Sequence, residues 1–531
     1  MSYCKLKQYN VITNNYGGIL DLVLSSLGDE WIQISGDAEP LVPADAYHPP
    51  LAVCVRIARP ARPRNGAAAE RARPPRPHCD LLPREWNFRK ADFHLLYTTL
   101  ASMNWDEIYL TTDVDTAVGV FYDLLCRCID DSVPFKQPSN SNFWKFVKEQ
   151  QSVRYSNDEF VYGDRTVTGT DAANAFANYF KSVFLTNDPI LSVEGAERAV
   201  TSSLCSSRIA VDNVRSCDLS FAVRKLKAHS STGPDGIPSF VVKDCYEVFK
   251  QPLLYIFNLA LNTATYPSKW KISRVTPIPK DGSRCNVENY RPIAVLSAFG
   301  KVFESILNRL ITGQVNTQFS DAQHGFRPGR STATNHVNFI DYTVTEMDLH
   351  KQVDVAYFDF KKAFDRVDND VLLKKFSATS FTPKLLKFFS NYFSNRLQYV
   401  QLSGHRSDPY VTCSGVSQGS TLGPTQFLIM INDLPSVVRS AKCLMFADDL
   451  KLFLGIGNAA DSEALQRDID NVIEWSELNH LEFNASKCKS ISFTRRRVSF
   501  FHPYNIRGVP LERSRHSIPR RGNRYGGQIG P

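Results

Sequence analysis

Two adjacent carboxylates, Asp448 and Asp449, stand between two apolar runs in segment 443–454, which reads CLMFADDLKLFL. Short apolar runs on both sides of polar residues predict a β-hairpin that carries the two acids at its turn. Strands this apolar are buried, and a buried carboxylate is costly unless a partner balances its charge. A divalent cation is one such partner, since Mg²⁺ binds a few carboxylate oxygens and leaves room for substrate phosphates. The pair therefore favours phosphoryl or nucleotidyl transfer, although two aspartates are also ordinary hairpin-turn residues.

A third carboxylate, Asp359, lies near the end of a second predicted strand, segment 353–360, which reads VDVAYFDF. If this strand pairs beside the hairpin, Asp359 and Asp448 face each other across one metal site. Between them comes segment 414–424, SGVSQGSTLGP, followed by an apolar run. A loop rich in glycine and serine that opens a helix lets the backbone approach a ligand closely.

The order of these parts resembles the palm of a reverse transcriptase. The sequences FDFKKAFD, SGVSQGSTLGP and FADD are similar to the palm motifs of non-LTR retrotransposon reverse transcriptases of the jockey-like clade. Upstream, TPIPK at 276–280, YRPI at 290–293 and QHGFRPGRS at 323–331 resemble the fingers segments of that group. The resemblance implies an α+β, right-hand polymerase fold with fingers and an antiparallel palm sheet covered by helices.

The resemblance also implies catalytic roles for four residues. Asp359, Asp448 and Asp449 match the acids that hold two Mg²⁺ ions, for which Mn²⁺ can substitute. One ion lowers the pKa of the primer 3′-hydroxyl and the other stabilises the leaving pyrophosphate, while Asp449 supports the site electrostatically. Lys487, in a segment similar to the fourth palm motif, would lie near the pyrophosphate as a general acid.

Five further residues match the nucleotide-binding positions of the family. Lys280 and Arg291 match the cations that hold the triphosphate, whose negative charge must be balanced in a partly dry site. Phe364, expected on a helix that begins after Asp359, matches the bulky residue that excludes a 2′-hydroxyl and so selects deoxynucleoside triphosphates. Gln418 and Gly419 match residues that contact the templating base pair and the primer region. The expected partners are an RNA template with a DNA primer, recognised by shape and backbone.

Composition sets broad limits on the kind of protein. The chain has 531 residues, of which 43% are hydrophobic and 22% charged, typical of two to four globular domains. Its net charge of +8 fits a nucleic-acid partner. The 12 cysteines form no CxxC pair, which favours a reducing compartment. With no apolar window of membrane-spanning length, we expect no membrane partner and an intracellular protein, made in the cytoplasm and functioning in the nucleus. The sequence does not predict the oligomeric state.

The first 55 residues resemble the end of an apurinic-type endonuclease, a fold of the endonuclease/exonuclease/phosphatase-like α/β sandwich class. Asp45 and His48 match a loop Asp and His of its metal-assisted cleavage site. The Glu, the Asn and the earlier Asp that would complete that site have no counterpart here, so nicking activity is predicted to be absent. Residues 56–80 are rich in arginine and proline and predict a flexible basic linker; direct phosphate contact is the alternative.

The rest of the chain divides into four predicted segments. Residues 81–229 are expected to be a helical connector. Residues 230–261 are either an N-terminal extension of the polymerase that touches template RNA or a plain interdomain loop with a helix. Residues 262–511 are the fingers and palm, and residues 512–531 are predicted to be a disordered basic tail. Against the family, the chain is expected to be truncated at both ends and to lack the thumb.

Two rival functions remain open from the sequence. A palm that folds but does not polymerise would leave a catalytically inactive retroelement remnant that only binds RNA. Another metal-dependent phosphotransferase could use the same acids, but the ordered fingers motifs disfavour it.

Overall fold

The structure, a computed structural model, describes residues 85–135, 159–185, 208–280, 282–495 and 499–517, together with four short strands nearer the N-terminus. The chain groups into two compact units, residues 1–81 and 82–531. The predicted domain boundary at residue 80/81 lies next to this division.

The first unit is described through two antiparallel strand pairs. The predicted nuclease residues Asp45 and His48, like the linker 56–80, lie outside the described residues, so these assignments stay predictions. The strands are β1 (Lys7–Gln8) paired with β2 (Leu24–Ser25), and β3 (Ile32–Gly36) paired with β4 (Leu51–Val55).

The second unit mixes helices and sheets, as predicted. Within the described ranges, none of the helices is both long and apolar enough to span a membrane. The α-helices are α1 (Phe93–Ala101), α2 (Asp106–Tyr109), α3 (Val114–Ser132), α4 (Gly169–Val183), α5 (Ser216–Lys225), α6 (Ser239–Asp244), α7 (Tyr246–Thr263), α8 (Ala298–Val315), α9 (Thr332–Asp348), α10 (Asn369–Ala378), α11 (Pro383–Phe393), α12 (Gly423–Ile431) and α13 (Ala459–Leu478).

The strands of the second unit carry or adjoin several of the predicted site residues. They are β5 (Glu159–Tyr162), β6 (Arg165–Thr168), β7 (Ile272–Pro279), β8 (Tyr290–Val295), β9 (Gln352–Phe358), β10 (Leu397–Leu402), β11 (His405–Arg406), β12 (Tyr410–Val411), β13 (Lys442–Phe446), β14 (Asp449–Ile456), β15 (Lys489–Thr494), β16 (Asn505–Ile506), β17 (Val509–Pro510) and β18 (Glu512–Ser517).

The carboxylate sheet, our name for strands β13-β14-β9-β15-β18, holds the predicted catalytic acids. Strand β9 pairs antiparallel with β14 on one side and with β15 on the other. Six of its seven residues are buried, which explains why its sequence is an apolar run. Because β9 and β14 run in opposite directions with Phe358 opposite Leu450, the end of β9 meets the hairpin turn before β14.

The basic sheet, our name for strands β11-β10-β7-β8 with β12 beside β10, carries the predicted triphosphate-binding cations. The hairpin β5–β6 and helix α4 pack against it, so the predicted helical connector was wrong in this part. Aromatic packing holds this hairpin and helix against the sheet. The ring centroid of Phe176 on α4 lies 5.0 Å from that of Phe160 on β5 and 4.9 Å from that of Tyr290 on β8, both edge to face.

The loop that opens the predicted N-terminal extension joins several parts of the second unit. The carboxylate of Asp235 accepts hydrogen bonds from the hydroxyls of Tyr122 on α3, at 2.9 Å, and of Ser297 before α8, at 2.6 Å. Gly233 has no room for a side chain, since an added Cβ would lie 2.8 Å from the carbonyl oxygen of Leu296. The loop is thus a packed junction, and contact with template RNA stays a prediction.

The C-terminal tail begins later than predicted. Residues 512–517 form β18, parallel to β15, so a disordered tail from residue 512 was wrong for these six residues. The guanidinium of Arg513 explains the order, because it donates to Ser492 Oγ at 2.6 Å and to the carbonyl oxygen of Phe500 at 3.0 Å. Residues 518–531 lie outside the described part of the chain.

Candidate active site

The hairpin formed by β13 and β14 closes through a two-residue turn. Phe446 pairs with Asp449, so the turn consists of Ala447 and Asp448. The sequence predicted both acids at the turn, but Asp449 is the exposed first residue of β14 while Asp448 is half-buried. Ala447 has φ +54°, in the left-handed region that a non-glycine residue seldom adopts.

Asp359 follows β9 directly and joins the two hairpin acids. Its backbone carbonyl accepts a hydrogen bond of 2.7 Å from the amide of Asn484. Burial raises the pKa of Asp448 above its usual value, and the charges of Asp449 and Asp359 raise it further. Although Asp449 is exposed, partial desolvation by the surrounding structure and the charge of Asp359 likewise raise its pKa. The three predicted acids therefore lie close enough together to repel one another.

Lys487 reaches the same group of acids. The segment before it pairs with the end of β9, and Lys487 Nζ lies 3.3 Å from Asp359 Oδ2. The two side chains are 66% and 40% exposed, so the ion pair contributes little to stability. A divalent cation bound to Asp359 would compete with this ammonium group.

A cluster of positive charge lies beside the acids. Lys280 and Arg291 sit on neighbouring parts of the basic sheet, where Arg291 of β8 pairs with Ile278 of β7. Burial lowers the pKa of Lys280, and the charges of Lys362, Arg291 and Lys487 lower it further. These four cations thus lie near one another. The resemblance implied three of them, Lys280, Arg291 and Lys487. The fourth, Lys362 of the FDFKKAFD segment, was not predicted.

Asp365 is a carboxylate that the sequence analysis did not single out. Burial raises its pKa from 3.8 to about 6, against the opposing effects of Gln418, Lys362 and Lys280. The amide of Gln418 donates a hydrogen bond of 2.8 Å to Asp365 Oδ1. Its place at the end of FDFKKAFD was visible in the sequence, but the contact with Gln418 joins residues 53 apart in the chain.

The glycine-rich loop is fastened to the basic sheet at Gln418 and Gly419. The carbonyl oxygen of Gln418 accepts a 2.7 Å hydrogen bond from the amide of Ala294 on β8. Gly419 has φ +120°, and a Cβ added there would lie 2.3 Å from the carbonyl oxygen of Ala294. Both its backbone conformation and the close approach therefore require glycine.

A buried acid, Glu304 of α8, supports the other end of this loop. It accepts hydrogen bonds from the Tyr392 hydroxyl at 2.7 Å and from the Thr421 amide at 2.9 Å. Thr421 comes just before α12, so Glu304 also satisfies donors at the start of that helix. The charge of Arg396 favours the ionised form of Glu304, although burial raises its pKa overall. A lone acid among apolar residues of segment 298–311 was the available sequence signal.

Phe364 lies at the floor of the site, in a turn rather than on the predicted helix. Its half-buried ring stacks on Phe427 of α12, with centroids 4.5 Å apart and an interplanar angle of 18°. The ring of Phe326, 56% exposed, meets its edge at 6.2 Å. The predicted nucleotide-selecting residue is thus rigidly backed and remains accessible.

The donor set of the three acids suits a hard divalent cation. Carboxylate oxygens are the ligands that Mg²⁺ and Mn²⁺ prefer, and a bound cation would relieve the mutual repulsion of Asp359, Asp448 and Asp449. In the described part of the chain, no group of three or more His, Cys, Asp or Glu side chains lies close enough to hold a metal ion. The acids are therefore electrostatic neighbours rather than a preformed cage.

A carboxylate hairpin beside a carboxylate strand, faced by cations on a second sheet, is the arrangement of palm and fingers in a template-directed polymerase. Residues 278–510 match the family model described as reverse transcriptase (RNA-dependent DNA polymerase). This part of the chain is therefore similar to reverse transcriptase domains, a class that depends on divalent metal ions.

The relatives confirm the resemblance to jockey-like elements. The chain is 28% identical over 285 residues to the RNA-directed DNA polymerase from mobile element jockey of Drosophila melanogaster, covering 52% of this chain and 31% of that protein. It is 24% identical over 407 residues to the jockey polymerase of Drosophila funebris, covering 71% and 44%. It is 26% identical over 402 residues to the probable RNA-directed DNA polymerase from transposon BS of Drosophila melanogaster, covering 72% and 44%. The chain spans less than half the length of these curated relatives.

Replacing Gly419 tests the fastening of the loop. Gly419→Ala forces a side chain against the Ala294 carbonyl at positive φ, so we expect a loss of about 1 to 3 kcal/mol in the free energy of unfolding. Gly313→Ala is the matched control, because nothing lies within 4 Å of an added Cβ in helix α8; it should be neutral or stabilising by up to about 1 kcal/mol. Urea unfolding of both variants measures this, and equal stabilities would contradict it.

Replacing Asp365 tests its raised pKa. Between its ordinary pKa of 3.8 and about 6, the folded protein keeps this proton while the unfolded chain has lost it. The contribution of Asp365 to the free energy of unfolding therefore falls as the pH rises through that window. Asp365→Asn cannot ionise, so its stability relative to wild type should rise between about pH 4 and pH 6 and then level off. A pH-independent difference in thermal or urea unfolding would show that Asp365 is not perturbed.

Proposed function

We propose that this chain is an RNA-directed DNA polymerase that extends a DNA primer on an RNA template. The observation that carries the proposal is the strand pairing that brings Asp359, just after β9, to the hairpin of Asp448 and Asp449, with Lys487 Nζ 3.3 Å from Asp359 Oδ2. The cations Lys280 and Arg291 lie on the neighbouring basic sheet. Nucleotidyl transfer requires acids that bind divalent cations and, beside them, groups that bind a triphosphate. The names of the relatives point to the same reaction.

The carboxylates of Asp359, Asp448 and Asp449 would hold two Mg²⁺ ions, with Mn²⁺ as a substitute. When bound, such ions lower the pKa of the attacking 3′-hydroxyl and balance the charge of the leaving pyrophosphate. Lys280 and Arg291 orient the incoming deoxynucleoside triphosphate.

Different residues would act on the pyrophosphate, the sugar and the base of the nucleotide. Once its ion pair with Asp359 is broken, Lys487 donates a proton to the leaving pyrophosphate. The ring of Phe364 lies against the sugar and excludes a 2′-hydroxyl. Gln418, oriented by Asp365, and Gly419 support the templating base pair from the loop. The RNA–DNA duplex is held through its backbone and shape.

The remaining assignments are part of the proposal. Residues 1–55, including Asp45 and His48, would be the end of an endonuclease domain. The protein would be made in the cytoplasm and act in the nucleus, with no membrane partner.

Primer extension tests the reaction directly. The purified chain is given poly(rA) with an oligo(dT) primer, dTTP and Mg²⁺, beside Asp448→Asn. Loss of one metal-binding carboxylate removes several kcal/mol of charge stabilisation, so we expect the rate to fall by at least about 100-fold. Asp470→Asn is the control, because Asp470 is an exposed acid on α13, and it should extend like wild type.

The outcomes separate the proposal from its rival. Extension by wild type and Asp470→Asn, but not by Asp448→Asn, supports a polymerase. No extension by any of the three, with binding of the RNA–DNA duplex retained, favours an inactive remnant that only binds RNA.

A smaller residue at position 364 should relax sugar selection. Phe364→Val opens space beside the sugar, and we expect the preference for dTTP over UTP, as a ratio of kcat/KM values, to fall roughly tenfold or more. Phe381→Val is the matched control, because Phe381 belongs to another stacked pair, 4.6 Å from Phe376. That variant should lose stability and keep its selectivity; equal selectivity in Phe364→Val and wild type would remove Phe364 from this role.

A further inference from the structure

The start of the segment QHGFRPGRS, residues 323–331, lies against the hairpin that carries Asp448. The amide of Met445 on β13 donates to the carbonyl oxygen of Ala322 at 2.8 Å, and the amide of His324 donates to that of Met445 at 2.9 Å. The sequence resemblance grouped this segment with the fingers. In the structure its first residues add a short parallel bridge beside β13 of the carboxylate sheet.

The side chain of Gln323 grips the turn itself. It is 2% exposed, and its Oε1 accepts hydrogen bonds from the amides of Ala447 at 2.9 Å and Gly325 at 2.7 Å. Its Nε2 donates to the carbonyl oxygen of Ala447 at 3.2 Å. One buried amide therefore satisfies both backbone polar groups of the residue before Asp448.

Ala447 needs such support because of its conformation. Its φ of +54° costs a residue with a Cβ roughly 1 to 2 kcal/mol. Two-residue hairpin turns with positive φ ordinarily use Asn-Gly or Asp-Gly, which adopt it readily. The pair Ala447–Asp448 has neither glycine nor asparagine, so tertiary contacts must hold the turn.

Gly325 also supports the turn, by packing closely against it. A Cβ added to Gly325 would lie 2.2 Å from the amide nitrogen of Ala447. The backbone at residue 325 thus sits directly against the turn, and the bond from its amide to Gln323 keeps the glutamine side chain aimed at Ala447.

We propose that Gln323 is a positioning residue that holds the turn at Ala447 and thereby keeps Asp448 in place beside Asp359. It acts through the backbone of Ala447 and does not touch substrate. This inference rests on the proposed polymerase function. Triphosphate binding depends on Lys280 and Arg291, which Gln323 does not contact, so loss of Gln323 should slow the chemical step and leave nucleotide binding unchanged.

The chain offers a matched control in Gln314 of α8. Its Oε1 accepts from the amide of Ala210 at 3.0 Å and its Nε2 donates to the carbonyl oxygen of the same residue at 2.9 Å. Gln314 therefore makes the same two bonds to an alanine outside the active site. Gln323→Met and Gln314→Met each keep the side-chain length and remove the amide.

Steady-state primer extension with dTTP separates a positioning role from a structural one. Misplacement of a catalytic group by about 1 Å costs about 100-fold, so Gln323→Met should lose about 100-fold in kcat with KM for dTTP within about twofold. Gln314→Met should keep both constants, whatever its stability. Equal kcat values in the two variants, with wild type active, would overturn the inference; an inactive wild type would instead refute the proposed function.

Hydrogen exchange gives a readout that does not depend on the level of activity. Hydrogen exchange at the Ala447 amide should be faster in Gln323→Met and unchanged in Gln314→Met; unchanged exchange in both would also overturn the proposal. If Gln323→Met does not fold, Gln323→Glu keeps the two accepted bonds and loses the donated one, and the kcat comparison is made with it instead.

A double-mutant cycle with Ala447→Gly tests the cause. Glycine adopts positive φ without strain, so the fall in kcat caused by Gln323→Met should be smaller in the Ala447→Gly background. An equal fall in both backgrounds would mean that Gln323 does not support the strained turn.

Discussion

Three carboxylates held at one end of the carboxylate sheet repel one another, and the rest of the described structure serves to keep them there. Burial and like charge both raise the pKa values of Asp448 and Asp449, so gathering these acids beside Asp359 opposes folding. In the free protein the ammonium of Lys487 balances part of the charge, and Lys280 belongs to a cationic cluster next to it. In the proposed function a divalent cation bound by these acids would relieve the same repulsion.

Contacts far from the acids make this arrangement rigid. At the entry to the hairpin, the buried carboxylate of Asp468 accepts hydrogen bonds from three successive backbone amides, residues 439–441, at 2.6 to 2.9 Å. Within β9, buried Asp354 accepts a 2.9 Å hydrogen bond from the Tyr504 hydroxyl and lies 3.8 Å from the guanidinium of Arg513. These paired acids stabilise the strands that lead to the predicted catalytic acids, because a buried carboxylate that lost its partners would be costly.

The local sequence was sufficient to predict the acids that strands and their turns position. The apolar runs around Asp359 and Asp448 predicted a strand and a hairpin, and antiparallel pairing then brings their ends together. The residues that only tertiary packing reveals could not be found this way: Gln323 contacts Ala447 across 124 residues, and Glu304 contacts the glycine-rich loop across 117. Residues 512–517 have a basic composition without a period, so their sequence does not indicate a strand; they form one because they pair with β15.

The central claim is that Asp359, Asp448 and Asp449 form one divalent-cation site. We would measure it by titrating the chain with Mn²⁺ and following the electron paramagnetic resonance signal of the free ion. The account predicts that wild type and the exposed-acid variant Asp470→Asn remove Mn²⁺ from solution with the same affinity, and that the double variant Asp359→Asn/Asp448→Asn loses this binding. Equal binding by all three proteins would contradict the account, because it would place the metal elsewhere in the chain.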